Sequence, residues 1–399
     1  MTSPILLWGA TGFTGKLIAQ HLAQAGLGRG QLILGGRNAQ RLEALAAELG
    51  LDVELRIADA HDPSSLGDLL DGVGVVATTV GPYRRYGWSL VQACAERGVD
   101  YVDLCGETPF IRQSVDELGE IAAQSGARIV HACGFDSIPS DLGTLMLAQE
   151  FQSQGKTLGW AQASVRRLRG GLSGGTYASM LGLVEDAAKD RSLRRVLGHP
   201  YSLNPPDQRE GADGSDRSDV RFDHDHDRWT APFLMAGINT RVVRRSVAIL
   251  GYASDQFRYD EAMICRSKGQ AKQMAFGLKA FTLFAALPPT RMILRRFLKQ
   301  PGQGPDQSER ENGCFEIHIL GRADASSPPL GRVIVAAQGD PGYSQTAIMI
   351  AESARLLAEG LVSAKGGVHT PASALGMAGV ERLKQHGFQF EFQAHQSVG

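Results

Sequence analysis

The sequence predicts an α/β chain in which a doubly wound parallel sheet comes first and a second domain of mixed α+β character follows. Three observations carry this. Six short apolar runs recur over the first 135 residues, helical periodicity fills the gaps between them, and the pattern changes after Pro139. At about 150 residues per domain, a chain of 399 residues has room for two or three units with buried cores.

The runs are Ile5 to Trp8, Leu32 to Leu34, Val53 to Ile57, Val73 to Thr78, Tyr101 to Leu104 and Arg128 to Ala132. Between them, patterns such as Leu42, Leu45, Ala46 and Leu49 recur at spacings of three and four, which set one apolar stripe of a helix against a sheet. Six strands joined by crossover helices make a parallel sheet. Beyond Pro139, Phe315, Ile317 and Ile319 alternate with Glu316 and His318, and Val333 to Ala337 behaves alike. These read as strands of a second, at least partly antiparallel sheet. Helices are expected near Thr176 to Lys189 and from Ser344 to Glu359. The polar stretches Asn204 to Arg228 and Gln300 to Asn312, rich in Pro, Gly, Ser and Asp, read as mobile surface loops.

Composition narrows the function. With 41 basic and 42 acidic side chains the net charge is -1, which gives no electrostatic case for nucleic acid. The five cysteines are widely spaced without a CxxC pair, so neither a disulfide framework nor a zinc site is expected. The opening Met-Thr-Ser-Pro lacks the basic region of a secretory signal, and a cytoplasmic location is expected. Met274 to Pro289, the most apolar stretch, carries Lys279 and ends in two prolines; it reads as a core or interfacial helix.

The strongest chemical signal is Gly9-Ala10-Thr11-Gly12-Phe13-Thr14-Gly15, directly after the first strand and opening a helix that runs to about Ala25. Gly9 permits a tight turn, Gly12 lets a pyrophosphate approach the backbone, and Gly15 allows close helix packing. Phosphate then meets the helix N-terminus, where unpaired N–H groups and the positive dipole end converge. This is the Rossmann arrangement, with Thr11, Phe13 and Thr14 completing the loop. The second strand ends in Gly35-Gly36-Arg37-Asn38, with Arg41 a turn later. A guanidinium there, and no carboxylate, suits a ribose 2′-phosphate, so NADP(H) is the expected cofactor and Arg37 its ligand. Asp59, after the third strand, is placed to meet the adenine edge. Thr79 and Gly81, after the fourth, are placed near the ribose and nicotinamide.

Hydride chemistry also needs a group that handles a proton. Tyr83, Glu107 and Asp136 are the candidates, each just past the carboxyl end of a strand. Asp136 or Ser137 has a second reading as the cap of the helix that follows, with Pro139 in its first turn. Cys105 reads as a small core residue. Ser173-Gly174-Gly175-Thr176 reads as a capped helix start that could also hold a carbonyl or anionic group. The run Asp223-His224-Asp225-His226-Asp227 reads as hydrated charge, and no metal is expected. Arg291, Arg295, Arg296 and Lys299 follow the apolar stretch and read as either a solvated helix face or a basic rim beside an apolar surface.

The loop Gly9 to Gly15, Gly81-Pro82-Tyr83, Tyr101 to Glu107 and Cys133 to Asp141 together resemble the saccharopine dehydrogenase-like oxidoreductases. Within that group, Trp229 to Ala236, Asn239-Thr240-Arg241, Val243 to Ser246, Gly339 to Tyr343 and Gly366 to Ala372 resemble the trans-acting enoyl reductase branch. The resemblance implies reduction of a carbon–carbon double bond in acyl chains built by synthases that lack their own enoyl reductase domain. It also implies a nucleotide domain over 1–138, a second domain over 139–343 and a C-terminal helical segment over 344–399 that packs back on the first. An amine or imine oxidoreductase and a non-catalytic nucleotide-binding protein at a lipid surface are the alternatives. The partners expected are a small-molecule or carrier-bound acyl substrate and no nucleic acid. A weak peripheral membrane contact and a homodimer stay open.

Overall fold

The computed structural model describes residues 2–59, 62, 65–171, 173–297 and 304–395. Six strands come first: β1 (Ile5–Trp8), β2 (Leu32–Gly36), β3 (Glu54–Ile57), β4 (Val75–Thr78), β5 (Asp100–Asp103) and β6 (Arg128–Val130). They pair in parallel in the spatial order β3-β2-β1-β4-β5-β6. β1 and β4 are buried along their whole length, as strands covered by helices on both faces must be, and so their sequences are unbroken apolar runs. The strand order reverses between β1 and β4. Their carboxyl ends therefore open a crevice in which a ligand can reach the backbone.

The chain then builds β7 (Leu158–Arg169), β8 (Arg221–Asp223), β9 (Arg228–Pro232), β10 (Ala253–Cys265), β11 (Cys314–Arg322) and β12 (Gly331–Gln338). β7 and β10 run parallel, and the other pairs of this second sheet are antiparallel. Phe315, Ile317 and Ile319 of β11 all turn into the core, as a period of two requires. The helix Ile138–Ser153 is enclosed by the second sheet and its neighbouring helices, so it is buried nearly all round and shows no apolar stripe.

The last segment is shared between the two sheets. The helix Thr346–Ala358 packs on the helix Phe13–Gln24, after which β13 (Gly367–His369) adds a seventh parallel strand beside β6. The chain then crosses back, and β14 (Gln389–Ala394) pairs with β12 at the edge of the second sheet.

The stretch from Asn204 to Arg228, expected to be a mobile loop, is tied down by ion pairs. The helix Ala236–Leu250 carries three buried arginines, Arg241, Arg244 and Arg245. Arg241 Nη1 donates to Asp216 at 2.6 Å and Arg244 Nε to Asp213 at 2.7 Å. Arg245 donates to the carbonyl oxygens of Leu203 and Val368, both at 2.6 Å. A buried guanidinium without partners is costly, so acidic residues that look solvated in the sequence are fixed as its counter-ions. Of the second polar stretch, 300–303 lie outside the described residues. The remainder forms a helical turn, Gln307–Glu311, preceded by Gly304 against the ring of Phe13.

Candidate active site

The glycine loop is as tight as its composition implies. Gly9 has φ +87°, and a side chain there would meet Thr79 Oγ1 and Val80 Cγ2 at 2.8 Å. A Cβ at Gly15 would lie 2.2 Å from the Gly9 carbonyl oxygen, so only glycine lets the helix Phe13–Gln24 press against the loop. At Gly12 a Cβ would meet nothing closer than that oxygen, at 3.3 Å, which leaves the outer side of the turn open. Gly12 caps the helix without a side-chain bond, and the first turn carries no acidic residue. Amide N–H groups and the dipole therefore face the opening uncompensated, which suits a pyrophosphate. Thr79 Oγ1 donates to the Gly9 carbonyl at 3.3 Å and fastens the end of β4 to the loop. Thr11 is half-buried in the same turn.

Arg37 is exposed just past β2. Asn38 caps the next helix by accepting the Arg41 N–H at 2.9 Å, and no Asp or Glu lies between Leu32 and Arg41. That donor set fits a 2′-phosphate and repels nothing about it. Asp59 follows β3, on the far side of β2 from the glycine loop, where its backbone bonds the Ser65 hydroxyl.

Beside the loop opens a cleft with a cavity volume of about 170 Å³. One wall is the crevice itself, with Gly12, Phe13 and Thr14, then Thr79, Gly81 and Tyr83, then Glu107, and finally Asp136. The other wall is the helix Gly174–Lys189, which contributes Thr176, Ser179, Met180 and Leu183, together with Met235 and Tyr343. Eight of the expected residues thus meet in one cavity, with Gly9, Thr11 and Gly15 shaping the turn behind it. Arg37 and Asp59 sit outside, toward β2 and β3. The helix start Ser173-Gly174-Gly175-Thr176, expected to be able to hold a carbonyl or anionic group, lines this second wall, whereas Met180 and Leu183 went unread although their spacing of three was a signal.

The three candidate proton carriers differ sharply. The Tyr83 hydroxyl donates to the Thr78 carbonyl at 3.2 Å and accepts the Leu104 N–H at 3.1 Å, so its proton is already engaged. Burial, with the Asp103 charge nearby, pushes that phenol well above its ordinary range. Glu107, 3% exposed, accepts the Tyr83 N–H at 2.8 Å, the Arg84 N–H at 3.1 Å and the Ser179 hydroxyl at 2.7 Å. It clamps the loop after β4 to both walls of the cleft. Asp136 opens onto the cleft and is pushed up to about 7 by burial and then by the charge of Asp103, with no hydrogen bond to offset either. Asp103 itself is fully buried, accepting the Cys105 and Ala132 N–H groups and bonded to His131 Nδ1 at 2.7 Å.

One local reading is corrected. Ser137 is the N-cap residue of its helix but makes no side-chain cap bond; its hydroxyl bonds Asn239 Oδ1 instead. Ser173 does cap, accepting the Thr176 N–H at 2.9 Å. The Asp-His run forms the turn between β8 and β9, where Asp223 accepts two backbone N–H groups and Asp225 pairs with Arg322. His21, Glu352 and His386 converge to within 4.8 Å, but Arg355 and Arg382 also bond Glu352. Against the opposing effect of burial, bonds from His21, Arg382 and Arg355 hold that carboxyl down to about 2. Its charge is already neutralised by guanidinium groups. The cysteines are all free, and four of the five are buried.

A glycine loop at the reversal of a parallel sheet, with a basic rather than acidic end to β2, defines an NADP-binding oxidoreductase of the Rossmann type. Residues 5–130 match the saccharopine dehydrogenase NADP binding domain, and NADP is the cofactor. The chain belongs to the trans-acting enoyl reductase family. It is 41% identical over 410 aligned positions to a Mycobacterium tuberculosis protein that carries that name provisionally, covering 97% of this chain and 96% of the relative. It is 36% identical to the trans-acting enoyl reductase of Mycobacterium ulcerans, covering 96% of each. Among solved structures, the apo saccharopine dehydrogenase (L-Glu forming) of Saccharomyces cerevisiae shares the fold, with a TM-score of 0.54 at 11% identity over 99% of this chain and 100% of that one.

Proposed function

We propose that the chain reduces the carbon–carbon double bond of an enoyl thioester, free or carrier-bound, in the cleft beside the glycine loop. The lining of that cleft carries the reading. Phe13, Leu104, Met180, Leu183 and Met235 give it apolar surface, and among the described lining residues there is no Lys or Arg. An amino-acid-like amine or imine needs cations to hold its carboxylates, whereas an acyl chain needs a dry wall. Relatives matched along nearly the whole chain are named for enoyl reduction, which supports the same reading.

When bound, NADPH supplies the hydride. The chain's own part begins with binding: amides of the first helical turn hold the pyrophosphate, and Arg37 holds the 2′-phosphate. Met180 and Leu183 keep water from the reacting carbons. Asp136 carries the proton. Its carboxylic acid gives that proton to the substrate α-carbon as the β-carbon gains hydride, and solvent restores it. Glu107 and Tyr83 are positioning residues that hold the loop after β4.

The test follows NADPH absorbance while the purified protein meets a panel of enoyl thioesters and imino acids. Oxidation with an enoyl thioester is expected. Oxidation with imino acids alone, or with nothing in the panel, refutes the reading.

A further inference from the structure

The helix Lys268–Ala286 is amphipathic in the wrong direction for one packed on a soluble core. Its fully buried positions are small, Ala271, Ala275 and Ala285, with Met274 half-buried beside them. Its outward positions are large, with Phe276 73%, Leu283 61% and Phe284 47% exposed. The packed helix Pro288–Phe297 continues the pattern, with Met292 73% and Ile293 57% exposed. An ordinary surface helix buries its bulky apolar side chains and exposes polar ones. A cluster of bulky apolar residues left outside marks a contact site.

The charge around the cluster is of one sign. From residue 262 to 305 the sequence contains no Asp or Glu, and exposed Lys272, Lys279 and Arg296 lie among the apolar residues. Arg291 is not part of this rim: it is buried and pairs with Glu185 at 3.3 Å, fastening the hairpin to the helix that walls the cleft. The Arg295 side chain and Lys299 lie outside the described residues.

We propose that these two helices dock the protein on an anionic lipid bilayer, with the apolar side chains in the headgroup boundary and the cations against lipid phosphates. The charges decide between occupants. In a symmetric dimer through this face, the basic set Lys272, Lys279 and Arg296 would be set against the same basic set with no carboxylate from 262 to 305 to offset it, whereas an anionic surface attracts all three. No helix among the described residues is long and apolar enough to cross a membrane, so the contact is peripheral. Because the helix Lys268–Ala286 packs on the helix Gly174–Lys189, docking sets the outer wall of the cleft close to the bilayer. The docking does not depend on which bond the cleft reduces.

The test is flotation of the full chain, loaded with NADPH, on phosphatidylcholine vesicles with and without phosphatidylglycerol. The wild type should float with the phosphatidylglycerol vesicles. The variant Phe276→Ser/Phe284→Ser/Met292→Ser should lose that binding while keeping its NADPH affinity and unfolding midpoint, since these side chains are exposed. Lys272→Gln/Lys279→Gln/Arg296→Gln should bind roughly a hundredfold less, at about fivefold per basic group near an anionic surface. Failure of the wild type to float on either vesicle overturns the proposal, as does binding by both variants equal to that of the wild type. So does a wild-type dimer that the serine variant converts to monomer with vesicle binding unchanged, which would make the face a contact between copies.

Discussion

Glu107 stands at the join between the sheet edge and the far wall of the cleft, and replacing it separates two readings of that residue. In Glu107→Ala, the buried Tyr83 N–H and the partly buried Arg84 N–H lose their acceptor, while the Ser179 hydroxyl can turn toward the cleft. Each stranded donor costs about 1 to 3 kcal/mol. Relief from burying the carboxylate returns part of this, so the net loss is about 3 kcal/mol. In Glu107→Gln, the amide oxygen can still serve Tyr83 and Ser179, but the amide nitrogen faces the Arg84 N–H, donor against donor. The expected loss is about 1 to 2 kcal/mol. Urea unfolding of the wild type and both variants measures these values, with NADPH titration and turnover run in parallel. The clamp predicts that stability falls in the order wild type, Gln, Ala, and that turnover falls with it. If both variants stay within about 0.5 kcal/mol of the wild type while turnover collapses in Gln, the clamp is refuted and Glu107 carries the proton.

Arg37→Ala should weaken NADPH roughly ten- to hundredfold and leave NADH nearly unchanged, measured by nucleotide fluorescence; an equal loss for both would make Arg37 structural. Asp136 is raised from 3.8 to about 7 in the folded chain, so the stability it contributes is full below about pH 4 and lost as pH rises through 7. The shift of about 3 units bounds that change at about 4 kcal/mol. Asp141 is raised to about 7 as well, so the comparison is wild type against Asp136→Asn across this pH range. The variant should have the flatter stability profile and no limb near pH 7 in turnover, and identical profiles would remove Asp136 from the proton transfer. Asp213→Ala should cost about 2 kcal/mol in urea unfolding by leaving the Arg244 guanidinium with the more distant Asp216, at 3.9 Å, as its counter-ion. A change under about 0.5 kcal/mol would show that the carbonyls of Pro200 and Tyr259 suffice for it.

The sequence was most legible where structure depends on neighbours. β1, β2 and β4 announce themselves because a strand buried on both faces must be apolar throughout, and the glycine loop because its turn is set within seven residues. Burial negotiated across long separations was not legible. Nothing near Arg245 points to the carbonyls of Leu203 and Val368, and nothing near Asp213 shows that Arg244 will need it. The helix Ile138–Ser153 announces its start through Pro139 but not its packing, since a helix enclosed on every side has no stripe to detect. At the cleft, the crevice wall follows from strand order, whereas the facing wall depends on how the second sheet sets the helix Gly174–Lys189 against the first. The apolar stretch Met274 to Pro289 reads as a core or interfacial helix, and Phe276, Leu283 and Phe284 face outward because alanines fill its fully buried positions.

The shared last segment has a consequence for biosynthesis. Each sheet has its closing strand supplied after residue 366, β13 for one and β14 for the other. A nascent chain emerging from the ribosome therefore carries two unfinished sheets, with the hydrogen-bonding edges of β6 and β12 bare, until almost the whole polypeptide has been made. Open edges of that kind pair readily with other chains. A stop codon or proteolytic cut near Gly360 would spare every residue of the cleft and still leave both edges exposed, so loss of such a product would come through aggregation rather than through damage to its chemistry.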